Sequence, residues 1–318
     1  MQDKKKLLVI ALGGNALLDS KSKGTIEERE SAAATTAEQL VPLFQSNVYD
    51  VILTHGNGPQ VGNLLIQQEE GSSKVPPMPL DVCVAETQGE IGYILLKALQ
   101  NAFDKHGVKK QTLALLTEVL VDEKDPAFEK LSKPVGPYYT LDQSKEILRT
   151  KNWVFKEDPA GKGYRRVVAS PKPKSVVQTS IIRDLTNKGY IVISVGGGGI
   201  PVYLNNKGEI EGVEAVIDKD LASAQLAIDL KADLLVILTN VEQCYINFNK
   251  PNEIKLRDLN LDEATTYFEQ GHFTAGSMGP KVQAVIEFVL NTGNKAIITH
   301  IEKVSEALEE RAGTLIHQ

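Results

Sequence analysis

The segment "DVILTHGNGPQVG", residues 50–62, decides the predicted fold. Its apolar start is typical of a buried strand, and its glycines let the backbone approach a ligand closely. Pro59 suits the first turn of a helix, where no backbone N–H is needed. The free N–H groups of such a turn form an anion site. The segment therefore predicts a strand, a ligand-binding loop and a helix in direct succession.

The same strand-to-glycine pattern recurs along the chain. Apolar runs at 7–12, 190–195 and 233–238 lead into "GGNA", "GGGG" and "TNVE", and a fifth run covers 295–300. Helical periodicity between the runs predicts helices at Glu27–Gln45, Pro59–Glu70, Val82–Phe103, Ser175–Asn187, Asp220–Lys231, Pro280–Leu290 and Lys303–Arg311. Continuous apolar strands that alternate with helices predict an α/β fold with a mainly parallel sheet covered on both faces. Ligands of such sheets bind at the carboxyl ends of the strands.

One segment, residues 122–174, interrupts this alternation. It holds six prolines, the only tryptophan and a basic "GKGYRR". A connection of this length is typical of a lid or a small subdomain. Short strands are expected at Trp153–Lys156 and Arg166–Ala169. We therefore predict a subdomain that protrudes from the main sheet.

The composition is that of a soluble globular protein. The 318 residues carry a formal net charge of −6, with 42% hydrophobic and 24% charged residues. This length favours one large domain with two lobes, or two domains. The mild acidity argues against nucleic acid as a partner. No run approaches the ~18 apolar residues of a membrane span, so no membrane association is expected. The apolar start of the chain is predicted to be a strand rather than a signal peptide.

Cysteine and glycine spacing excludes several classes of site. Cys83 and Cys244 lie far apart and are expected to be reduced structural thiols of a cytoplasmic protein. The histidines form no pair with zinc-ligand spacing. There is no P-loop motif, and no dinucleotide fingerprint follows a strand. A protein that binds several phosphates would therefore have to use a different arrangement.

Three lysines stand in contexts that suit phosphoryl transfer. Lys219 lies in "VIDKD", Lys281 follows the predicted helix start "GSMGP", and Lys133 lies in the proline-bounded "KPVGPYY". Each is also explained locally as an exposed lysine. Phosphoryl transfer has a loose transition state, and the protein supplies mainly positioning and positive charge. We expect Asp218 to organise the three mutually repelling lysines, and Asp220 alternatively to cap the following helix.

Several longer motifs make the chain resemble the carbamate kinases of the amino acid kinase family. They include "ALGGNALL", "THGNGPQVGNLL", "TQGEIGY", "DPAFEKLSKPVGPYY", "VGGGGIPV", "AVIDKDLASAQLA" and "GSMGPKV", in order and nearly end to end. The form "KPVGPYY" is similar to that of carbamate kinases and is lacking in the acetylglutamate, glutamate, aspartate and UMP kinases. The resemblance implies an open three-layer αβα sandwich with about eight mainly parallel strands. It also implies an N-lobe near residues 1–212 that binds carbamate or carbamoyl phosphate, and a C-lobe near 213–318 that binds the nucleotide.

The resemblance also implies roles for individual residues. The catalytic set is Lys133, Lys219, Lys281 and Asp218. The phosphoryl-binding set is Gly13, Gly14, Asn15, Gly56, Asn57, Gly58, Gly197 and Gly198. The nucleotide-binding set is Thr239, Asn240, Val241, Tyr245, Ala275 and Met278. Glu86 departs from the family pattern by adding a charge near the substrate lobe, and we expect it to point away from the site.

The implied reaction is ATP + carbamate ⇌ ADP + carbamoyl phosphate, run mainly toward ATP by a homodimer. Mg²⁺ would accompany ATP or ADP and would be held mainly by the phosphates and water. No general base is needed, because carbamate is already an anion. Two alternatives remain: a kinase of the same family for another small acid, and a non-catalytic nucleotide-binding protein on this fold. A nicotinamide-dependent dehydrogenase is a weaker third.

Overall fold

The computed structural model describes residues 5–14, 22–158, 161–273 and 278–318. Its strands are β1 (Lys6–Leu12), β2 (Tyr49–His55), β3 (Thr112–Ala114), β4 (Glu118–Leu120), β5 (Lys133–Tyr139), β6 (Val154–Glu157), β7 (Tyr164–Val168), β8 (Ser175–Val176), β9 (Ile191–Ile193), β10 (Ile200–Leu204), β11 (Ile210–Gly212), β12 (Leu234–Thr239), β13 (Cys244–Ile246), β14 (Ile254–Leu256), β15 (Asp258–Asn260), β16 (Lys295–His300) and β17 (Thr314–His317). Its α-helices are α1 (Ile26–Ser46), α2 (Gln60–Gly71), α3 (Leu80–His106), α4 (Leu141–Ile147), α5 (Thr179–Asn187), α6 (Lys219–Leu230), α7 (Leu261–Glu269), α8 (Met278–Thr292) and α9 (Val304–Leu308).

The main sheet has eight strands in the order β15-β17-β16-β12-β1-β2-β9-β3. Every neighbouring pair is parallel except β16 with β17. This confirms the predicted fold class and the predicted number of strands. The loops that follow parallel strands all lie at the carboxyl edge of the sheet, so the glycine-rich ends of β1, β2 and β9 lie side by side.

Burial on both faces of the sheet explains the continuous apolar runs. In β1, Leu8, Ile10 and Leu12 pack against α1, α3 and α9, while Val9 and Ala11 pack on the opposite side against α6 and α8. All five side chains are fully buried. Alternate residues of a strand point to opposite faces, so a strand between two helical layers must be apolar at every position. The result is the predicted three-layer αβα sandwich.

Two helix predictions from periodicity were too long. The predicted helix 175–187 begins only at Thr179, because Ser175 and Val176 pair as a strand with β4. The predicted helix 303–311 is helical only at Val304–Leu308, because the chain turns at Glu310, whose φ is 59°, to enter β17. Pairing with a distant strand or a tight turn overrode the local pattern in both places.

The segment 122–174 does carry a small sheet of its own. Strands β5, β7 and β6 pair antiparallel in that order, and α4 lies between β5 and β6 in the chain. Both short strands predicted there are present as β6 and β7. A separate four-stranded sheet, in the order β11-β10-β4-β8, was not predicted. The lobe boundary near residue 212 stays a prediction.

The small sheet is docked against helices α2 and α3. Gly62 of α2 lies so close to β5 that a Cβ there would be 2.8 Å from the backbone of Gly136. Val135 of the same strand joins a buried apolar cluster with Val61 of α2 and Val84 of α3. In the described ranges, no helix has the length and apolar character needed to cross a membrane.

Candidate active site

Two of the predicted glycine loops are in direct contact at the carboxyl edge of the sheet. The Asn57 side chain donates from Nδ2 to the carbonyl oxygen of Gly197 at 2.9 Å. A Cβ on Gly197 would lie only 2.1 Å from Asn57 Oδ1, and the residue has a φ of 69°. No residue other than glycine fits both the approach and the backbone conformation. The loops after β2 and β9 therefore form one continuous backbone surface.

The third loop, after β1, has both a packed and an open glycine. A Cβ on Gly13 would lie 2.6 Å from the carbonyl oxygen of Leu238 in β12, whereas a Cβ on Gly14 would meet nothing within 4 Å. Gly14 is exposed and so is accessible to a ligand. Asn15, the next predicted phosphoryl-binding residue, lies outside the described residues.

Helix α3 contributes two buried polar residues that the sequence reasoning missed. Thr87 Oγ1 lies 2.5 Å from Asn57 Oδ1 and donates to it. Gln88 makes two hydrogen bonds to the backbone of Thr117, 3.0 Å from Nε2 and 2.9 Å to Oε1. Both side chains are almost fully buried. Because a buried polar group must be paired, these contacts hold the glycine loops in one arrangement.

A strained residue begins the loop after β9. Val195 has a φ of 50°, a region that β-branched residues rarely occupy. Its N–H donates to Thr117 Oγ1 at 3.1 Å, and Thr117 is itself held by Gln88. The strained turn ends the strand at Ile193, earlier than the apolar run predicts. Backbone strain that the surroundings hold in place is typical of a binding site.

The three predicted lysines converge, but on two aspartates. The two carboxylate oxygens of Asp220 lie 2.5 Å from Lys219 Nζ and 2.7 Å from Lys281 Nζ. A carboxylate oxygen of Asp218 lies 2.9 Å from Lys133 Nζ. The expectation that Asp218 organises all three lysines was wrong, since Asp220 holds two of them. Helix α6, helix α8 and the small sheet thus bring their cations to one place.

The capping roles of the two aspartates were also reversed. Asp218 is in an extended conformation and accepts from the N–H groups of Asp220 and Leu221, so Asp218 is the N-cap of α6. Asp220 lies inside the first turn and points at the lysines instead. An extended residue just before a helix is placed to cap it, whereas a residue two positions later is not.

Burial and charge shape the titration of this group. Burial alone would raise the pKa of Asp220, but the ammonium groups of Lys219 and Lys281 outweigh it and lower the pKa to about 2. Burial lowers the pKa of Lys219 from its ordinary value, and Asp220 opposes that effect. Asp220 is therefore an anion at neutral pH and compensates the lysine charge in the absence of a substrate.

Lys219 lies directly against the loop after β2. A Cβ on Gly56 would be 3.0 Å from Lys219 Cδ, so the lysine stem crosses the bare backbone of that glycine. His55, just before it, is fully buried, and burial lowers the pKa of the imidazole to about 4. His55 is thus neutral at physiological pH, and Nδ1 lies 2.9 Å from the Gly56 carbonyl oxygen. A ligand at this loop would therefore meet backbone N–H groups and the nearby Lys219, and His55 would add no second positive charge.

The predicted nucleotide residues lie around the ends of β12 and β13. A cavity of about 300 Å³ is lined by Gly13, Thr239, Asn240 and His300, among others. Tyr245 packs against Phe248 with ring centroids 5.5 Å apart. Met278 Sδ lies 3.7 Å from Cys244 Sγ. Val241 is partly exposed on the loop after β12. Ala275 lies outside the described residues.

Both cysteines are free and buried, as expected for structural thiols. Burial raises the pKa of Cys83 to about 11 and that of Cys244 to about 12.

Glu86 is exposed on α3, next to the buried Thr87 that contacts Asn57. Over the described ranges, no group of three acidic, histidine or cysteine side chains is placed to hold a metal.

A glycine-lined sheet edge beside converging lysines suits phosphoryl transfer, the reaction of a phosphotransferase. The chain belongs to the amino acid kinase family, whose model matches residues 6–300.

Within that family the chain is similar to several carbamate kinases. The chain is 48% identical over 313 residues to the carbamate kinase of Thermococcus kodakarensis, in a match that covers 98% of this chain and 99% of the relative. It is 46% identical to carbamate kinase 2 of Enterococcus faecalis over 314 residues, 98% of this chain and 99% of the relative. The structure of the Giardia lamblia carbamate kinase bound to AMP-PNP superposes with a TM-score of 0.92 at 42% identity and 98% coverage of both chains. An isopentenyl phosphate kinase, 15% identical with a TM-score of 0.55, shares the fold alone.

Proposed function

We propose that this chain is a carbamate kinase that catalyses ATP + carbamate ⇌ ADP + carbamoyl phosphate. The observation that carries the proposal is the convergence of Lys133, Lys219 and Lys281 beside the glycine loops. The high identity to carbamate kinases over nearly the full length supports the choice of substrate. We expect net flux toward ATP, with carbamate released to ammonia and bicarbonate.

The geometry suggests how the residues divide the work. In a loose transition state, negative charge spreads over the equatorial oxygens of the transferring group. Lys219 and Lys281, preorganised on Asp220, would stabilise that charge on the nucleotide side. Lys133 would contact the phosphoryl group from the small sheet. The backbone N–H groups around Gly56 and Gly14 would orient it for in-line transfer. No proton has to leave carbamate, so the neutral, buried His55 is not needed as a base.

Mg²⁺ with ATP or ADP is part of this proposal. The carboxylates nearest the lysines are both occupied, Asp218 by Lys133 and Asp220 by two lysines. They therefore have little capacity left to bind a metal directly. This fits an ion held mainly by phosphate oxygens and water, as Mg²⁺ prefers, and its role would be to neutralise charge on the nucleotide. We further propose that the enzyme is a cytoplasmic homodimer that acts on its small-molecule substrates and binds neither nucleic acid nor a membrane.

The deciding experiment is ATP formation from carbamoyl phosphate and MgADP. A reaction without enzyme corrects for spontaneous decay of carbamoyl phosphate. Rapid turnover supports the proposal. If turnover is absent but MgADP binds, the two alternatives are separated by replacing carbamate with acetylglutamate, glutamate and aspartate in the presence of MgATP. Turnover with one of these acids identifies another small-acid kinase, and none at all favours a non-catalytic nucleotide-binding protein.

A further inference from the structure

A pair of buried hydroxyl groups connects β2 to the helix that carries Lys219. Thr54 Oγ1 and Ser223 Oγ lie 2.6 Å apart, and both residues are fully buried. Ser223 Oγ is also 2.6 Å from the backbone carbonyl oxygen of Lys219. The proposed mechanism does not use either hydroxyl.

The direction of these hydrogen bonds follows from their chemistry. A hydroxyl has one hydrogen, and a carbonyl oxygen can only accept. Ser223 therefore donates to the Lys219 carbonyl oxygen, which leaves Ser223 Oγ as the acceptor from Thr54. A serine that bonds back to the carbonyl four residues earlier is common in helices. The additional bond from a neighbouring strand is not part of that pattern, and it links the first turn of α6 to β2.

Thr54 and Gly56, the first residue of the phosphoryl loop (residues 56–58, after β2), lie on the same side of the strand. Residues two apart in an extended chain face the same way, so Thr54 and Gly56 both face α6. Thr54 contacts α6 through Ser223, and Gly56 contacts the stem of Lys219. Lys219 is thus approached from this side at two points: Thr54 reaches its carbonyl oxygen through Ser223, and Gly56 lies beside its side chain. His55, which lies between them, faces the opposite way, toward Gly196.

We infer that Thr54 and Ser223 are positioning residues that set the placement of Lys219 relative to the phosphoryl loop. This inference rests on the proposed function. A small displacement of a catalytic group lowers turnover strongly while leaving binding almost intact. Thr54→Val keeps the shape of the side chain and removes the donor. Ser223→Ala removes the connecting hydroxyl.

The test measures kcat and KM for ATP formation in both variants. Each is expected to lower kcat about tenfold, the effect of about one hydrogen bond, with KM for MgADP within about twofold of wild type. The double variant is expected to be no slower than either single variant, because both break the same connection. Thr54→Ser, which keeps the donor, should restore turnover.

Two controls separate positioning from a general loss of stability. Thr186 is also buried and its hydroxyl bonds back to Ile182 four residues earlier in α5, with no neighbouring strand involved. Thr186→Val should lower the melting temperature like Thr54→Val but leave kcat unchanged. In a Lys219→Ala background, Thr54→Val should have no further effect on kcat. An equal fold loss of kcat from Thr54→Val in the wild-type and Lys219→Ala backgrounds would overturn the inference.

A wild-type enzyme without turnover would refute the proposed function and not the positioning role. For that reason the position of Lys219 is also measured directly, by crystal structures of wild type and Thr54→Val. The inference expects the Lys219 stem to leave its contact with Gly56 in the variant. An unchanged contact, like an unchanged kcat in an active enzyme, would overturn it.

Discussion

Two aspartates in "DKD" hold lysines in very different surroundings. The side chains of Lys219 and Lys281 are each 14% exposed and share Asp220, which is 4% exposed. The side chain of Lys133 is 33% exposed and that of its partner Asp218 is 15% exposed. The first group is buried where α6 and α8 meet, whereas the second joins the small sheet to α6. The packing of the main sheet and its helices therefore preorganises Lys219 and Lys281, whereas the docking of the small sheet places Lys133.

The largest expected effect contrasts the two aspartates. Asp220→Ala leaves two buried ammonium groups without a partner and is expected to lower the free energy of unfolding by about 3–5 kcal/mol. Asp218→Ala removes a helix cap and a more exposed ion pair and should cost only about 1 kcal/mol. Urea denaturation of wild type and both variants measures this. Equal losses would mean that Asp220 is no more anchored in the core than Asp218.

The lysines themselves should separate turnover from stability. Lys219→Ala, Lys281→Ala and Lys133→Ala are each expected to lower kcat about 10²–10³-fold, as is typical for one preorganised charge. Only the first two should also change the unfolding free energy, because only they leave Asp220 less well compensated. Lys174→Ala, an exposed lysine that pairs with Asp122, is the matched control for Lys133. Near-wild-type kcat in any of the three would remove that lysine from the mechanism.

The smallest effect tests docking alone. Gly62→Ala adds a methyl group that would lie 2.8 Å from the backbone of Gly136, so the small sheet must move. Since Lys133 is carried by the same strand, we expect kcat to fall about tenfold without unfolding. The methyl group of Gly71→Ala in the same helix would meet only Val75 at 3.9 Å, so this variant should leave kcat unchanged. If the two alanine variants have equal kcat, the Gly62 contact does not place Lys133.

Five strands of the main sheet and most helices could be predicted because their cause is local. A strand buried on both faces must be apolar throughout, and this pattern is visible in residues 7–12 and 233–238 without knowledge of any neighbour. The four-stranded sheet could not be predicted in the same way. Its short strands exist because distant residues pair, such as Val119 with Val176.

The buried polar residues that support the glycine loops could not be predicted from the sequence either. Thr87 and Gln88 lie on α3, which by periodicity is an ordinary helix. Only its packing brings them to Asn57 and Thr117. A buried threonine or glutamine has no local signature that separates a loop-holding role from a core role. Sequence reasoning therefore identified the glycines and missed what supports them.

By itself, the sequence determined the α/β alternation, the glycine loops at strand ends and the presence of three lysines in phosphate-binding contexts. These follow from period, residue type and chain order. Only the tertiary structure decided which aspartate each lysine meets. In "DKD" the two carboxylates are chemically equal, and they differ only because Asp218 lies before α6 and caps it while Asp220 lies inside the first turn. That turn faces Lys281, which lies 61 residues further along the chain, and this contact depends on how α6 and α8 pack.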